Sequence, residues 1–135
     1  MKAYTVESCD SFVPTSVINA LGLKSHHRQA RVLIFAPTKL RAAELAIDAN
    51  LFGWHWNTND QRWLRVATGN DLDALTPHFG EEEGVLAVPL AGAGSATGTV
   101  VRVQGLVATV VGHLVAHSTP ERKYGQRFEV ERAET

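Results

Sequence analysis

The sequence predicts an α+β domain: two to three short helices packed on one face of a mixed or antiparallel sheet, with a β-rich C-terminal third. Three observations carry that prediction. Arg31 to Ala36 (RVLIFA) is an apolar run of strand length, as expected for a central strand buried on both faces. Lys39 to Leu51 repeats Leu40, Ala43, Ile47 and Leu51 at helical spacing, with Glu44 and Asp48 marking a polar side. Strand–helix–strand–helix order at the front gives way to a strand-rich back, the arrangement of helices layered on a sheet.

The elements follow in order. Ala3 to Val6 reads as a first strand because Tyr, Thr and Val favour the pleated conformation. Ser11 to Gly22 reads as a short helix, with Pro14 in its first turn, where a missing N–H costs nothing, and Gly22 as its stop. Lys24 to Gln29 is polar and loop-like, and the RVLIFA strand and the Lys39–Leu51 helix come next. Gly53 to Ala67 (GWHWNTNDQRWLRVA) reads as a hairpin around the turn formers Asn57, Thr58, Asn59 and Asp60. Thr68 to Leu75 holds a short helix capped by Thr68 or Asn70. Val85 to Leu90, Thr99 to Val103 and Phe128 to Glu131 read as strands. Leu106 to His117 fits a helix through Leu106, Val110, Leu114 and His117, but its Val and Thr content favours a strand with Gly105 and Gly112 at bulges or bends.

Composition narrows the function classes. The 135 residues fit one domain, residues 1–135 with a frayed tail from about 133, and a chain of that size buries roughly two thirds of its unfolded surface. Formal charge is −1, from 13 basic and 14 acidic side chains, whereas a dedicated nucleic-acid binder is usually basic. Five acids (Asp71, Asp73, Glu81, Glu82, Glu83) and no Lys or Arg fall between Val66 and Val101, while Lys24 to Arg31 (KSHHRQAR) has no acid. Ordinary solvated surface accounts for such runs. Cys9 is the single cysteine, so no internal disulfide forms and a reducing, cytoplasmic compartment is expected. The N-terminal MKAYTVESCDSF lacks a signal-peptide stretch, and no window supplies the ~20 apolar residues of a membrane helix. No membrane partner is expected.

Four groups of residues could carry chemistry or binding. Trp54 and Trp56 would share a strand face, with Trp63 across the turn and Arg62 and Arg65 flanking it. Rings beside guanidinium groups suit a protein interface or single-stranded nucleic acid, and the alternative for the same rings is a core beneath the hairpin. His113 and His117 stand four apart and on a helix could share a metal ion, but GHLVAH has no central glutamate to act as base. On a strand the two would lie ~13 Å apart, too far for one ion. His26 and His27 are adjacent and point apart. PLAGAGSATGT (Pro89 to Thr99) is glycine-rich but lacks the lysine of a phosphate loop and leads into a strand, so it reads as a hairpin loop. Cys9 sits beside Asp10, whose charge disfavours a thiolate, and Ser95 lacks a nucleophile elbow. The paired carboxylates Asp71/Asp73 and Glu81–Glu83 read as cap and solvent-facing charges. No enzyme signature and no cofactor follow.

One segment adds a resemblance. Ile34 to Leu45 (IFAPTKLRAAEL), Ala67 to Asn70 (ATGN) and Gly84 to Val88 (GVLAV) resemble small uncharacterised accessory proteins of actinobacterial phages over roughly residues 31–90. The resemblance implies a non-enzymatic protein made inside an infected cell and acting on a host or phage macromolecule. The leading expectation is therefore an interaction module that binds a protein through Trp54, Trp56, Arg62, Trp63 and Arg65. The alternatives are single-stranded nucleic-acid binding through the same hairpin plus Arg28 and Arg31, and a structural, homo-oligomeric role in a capsid or tail. A zinc site at His113 and His117 comes last.

Overall fold

The computed structural model describes residues 1–6, 30–49, 57–67, 75–89, 99–105, 107–118 and 126–132. Among the described residues seven strands form one sheet: β1 (Lys2–Val6), β2 (Ala30–Ala36), β3 (Leu64–Val66), β4 (Gly84–Pro89), β5 (Thr99–Gln104), β6 (Val107–Ser118) and β7 (Gln126–Arg132). Their spatial order is β3-β1-β2-β4-β5-β6-β7, and every neighbouring pair is antiparallel. Among the described residues two helices accompany the sheet, α1 (Lys39–Asp48) and α2 (Thr76–Phe79). The class is α+β and strand-rich. The expected helices at Ser11–Gly22 and Thr68–Leu75 lie outside the described residues, Leu75 apart.

RVLIFA is the central strand, and Val32, Leu33, Ile34, Phe35 and Ala36 are all buried. Alternate residues of a strand point to opposite faces, so β2 sends Val32, Ile34 and Ala36 to one core and Leu33 and Phe35 to another. The first core collects Tyr4, Val6, Trp63, Leu64, Val85, Ala87, Val101 and Val103 with Ala42, Ala43, Ala46 and Ala49 of α1 and the residue after it. The second collects Leu86, Val88 and Val100 with Leu75 and Phe79 at α2. The helices thus lie on opposite faces of the sheet, which corrects the expectation of a single helical face. The physical reason is in β2 itself, because a strand apolar on both sides needs cover on both.

Helix α1 starts where the sequence places it. The Thr38 hydroxyl accepts the Arg41 N–H at 3.1 Å, satisfying one of the orphan donors of the first turn. Its buried face differs from the expected one. Ala42, Ala43, Ala46 and Ala49 face the sheet, while Leu40 and Ile47 are 50% and 40% exposed. Two apolar stripes compete in this helix, and the alanine stripe takes the sheet, since short side chains let the helix lie close on tightly spaced strands. The Arg102 guanidinium lies 5.9 Å from the Phe79 ring centroid, a cation–π contact that ties α2 to β5 on the second face.

The ambiguous segment is a strand: β6 runs through Val107–Ser118. Its pairing with β5 slips between Val100 and Val101, where Gly112 opposes Val100 and Val110 opposes Val101. Val111 is the extra residue of a bulge, and Gly112 stands within it as expected. Gly105, in the turn from β5 to β6, has φ +56°, a conformation that L side chains rarely adopt. At the outer end of the β1–β2 ladder the Thr5 hydroxyl donates to the Val32 carbonyl at 2.8 Å, satisfying a buried polar group.

Candidate interaction surface

The segment before β3 is a tightly bonded turn. Asn57 Oδ1 accepts the Asp60 N–H at 2.6 Å, the local bond for which Asn is favoured in turns. Gln61 Nε2 donates to the Thr58 carbonyl at 3.1 Å, and the Leu64 N–H donates to the Gln61 carbonyl at 3.0 Å. Together these bonds bring Trp63 under the sheet. Its ring is 6% exposed within the first core, and its Nε1–H donates to the Asn57 carbonyl at 3.0 Å. For Trp63 the core reading applies, and its ring is withdrawn from the surface.

The arginines beside it are exposed. Arg62 forks onto Asp60, with Nε at 3.0 Å from Oδ1 and Nη2 at 2.7 Å from Oδ2. Asp60 Oδ1 also accepts the Arg62 N–H at 3.1 Å. The Arg62 side-chain bonds first, and this backbone donor second, lower the Asp60 pKa from 3.8 to about 2. A depressed carboxyl pKa stabilises the folded state fully above the ordinary value, and that contribution is lost as pH falls through about 2. Side-chain carboxyl NMR of Asp60 should show a midpoint near 2. In Arg62→Ala the midpoint should rise only part of the way toward 3.8, because the backbone donor remains. A wild-type midpoint at the ordinary value would show the fork to be absent in solution. Arg65 is exposed on β3 opposite Thr5 of β1. Trp54 and Trp56 lie outside the described residues, so the structure brings Arg62 and Trp63 together in sequence but turns them to opposite environments.

The largest exposed apolar pair on a described helix is one the sequence assigned to the core. Leu40 and Ile47 stand seven residues apart, two turns of α1, and both face solvent. Glu44 and Asp48, also exposed, line one side of that stripe. Arg41 leaves the same side toward Glu83, which accepts its Nε and Nη2 at 2.9 and 2.7 Å. The hydrogen bonds from Arg41 hold the Glu83 carboxyl below its ordinary range. This contact draws the exposed triplet Glu81–Glu83 to the α1 flank. A signal for the arrangement was present in the sequence: Ala42, Ala46 and Ala49 recur at helical spacing as regularly as Leu40, Ala43 and Ile47 do.

His113 and His117 are both on β6. Four strand residues span ~13 Å, so the helical chelate considered from the sequence does not form. Among the described residues no group of three or more His, Cys, Asp or Glu side chains could hold a metal ion. Cys9, the His26–His27 pair, Arg28, Asp71, Asp73 and the centre of the glycine-rich loop lie outside the described residues. No described helix is long and apolar enough to cross a membrane.

A comparison with protein families, curated proteins and solved structures finds no match for this chain.

Proposed function

We propose that this chain is a non-catalytic module that binds another protein through the solvent face of α1. The observation that carries the reading is the outward stripe of Leu40 and Ile47 on a helix whose alanine face is already buried. Apolar anchors two turns apart, rimmed by charge, are what a helix presents to an amphipathic partner. Glu44, Asp48 and the Glu81–Glu83 turn make the rim acidic, so the partner segment is apolar on one side and basic at its edges. Arg65, exposed on β3, stays a candidate contact of the same module. The resemblance of residues 31–90 to accessory proteins of actinobacterial phages makes a host or phage protein the natural partner.

Single-stranded nucleic acid is the second reading, and one observation favours it. Arg31, Arg65 and Arg102 occupy strand positions on the second face, in register with Val88, Thr5 and Leu86. No acid shares a described strand position on that face.

One experiment separates the two. The tagged chain and its L40Q/I47Q variant are used to capture partners from the cell that makes the protein, and the eluates are read by mass spectrometry and by the 260/280 nm absorbance ratio. A stoichiometric protein kept by the wild type and reduced at least about tenfold by L40Q/I47Q is the expected result. Equal capture by both chains would overturn the α1 assignment, and an eluate dominated by nucleic acid and stripped by salt would favour the second reading.

A further inference from the structure

We draw no further inference here: the strongest candidate, the exposed acid pair Glu44 and Asp48 at the C-terminal end of α1, belongs to the surface already described, and nothing among the described residues shows what would sit on it.

Discussion

Leu33→Ala should lower the unfolding free energy by about 3 kcal/mol, within the ~2–5 kcal/mol range for leucines truncated in a packed core. Leu33 is 1% exposed at the middle of β2 and packs among Phe35, Leu75, Phe79 and Leu86. The alanine leaves a cavity bounded by a rigid sheet on one side, which can close only in part. A domain of this size is stable by roughly 5–15 kcal/mol, so the loss is a large share of the total. Urea denaturation of the variant reads it directly. A change below about 1 kcal/mol would mean that the second face of the sheet is far looser than the structure shows.

Trp63→Ala should cost as much or more, about 3–5 kcal/mol, although Trp63 sits in a turn beside the edge of the described sheet. Its ring fills the first core with Leu64 and Tyr4, and its N–H anchors the Asn57 carbonyl of the preceding turn. Trp63→Phe separates the two contributions. Phenylalanine keeps most of the apolar area and removes the donor, so about 1–2 kcal/mol should be lost. Fluorescence of the wild type should include a component shielded from soluble quenchers. If both substitutions left stability unchanged, Trp63 would belong to the surface and the ring would return to the list of binding residues.

The sheet was largely legible in the sequence because its strongest strand announces itself. Five consecutive apolar residues of strand length, β-branched or aromatic at Val32, Ile34 and Phe35, have no comfortable place except between two covered faces. The segment from Val107 to Ser118 was legible for a related reason, since its valines and threonine outweigh a helical spacing that alanine and leucine alone would have carried. Two features were not legible. Helical spacing in α1 is satisfied equally by leucine and isoleucine on one side and by alanines on the other, and only the depth available over β2 and β4 decides between them. Hydrophobicity alone favours the larger residues. Trp63 could be read from the sequence as core or as interface, since its size suits a core and tryptophan beside arginine marks binding surfaces; the Asn57 and Asp60 bonds accompany a turn in which consecutive residues part, one to solvent and one to the core.

The proposed function depends on α1 burying its alanines while Leu40 and Ile47 stay in solvent. The most direct measurement is the equilibrium unfolding of the L40Q/I47Q chain, since glutamine preserves helix propensity while removing both apolar side chains. The variant's stability should lie within about 0.5 kcal/mol per site of the wild type, the normal range for solvent-facing substitutions. A combined loss of about 2 kcal/mol or more would place at least one of the two side chains in the core and remove the surface on which the proposed function rests.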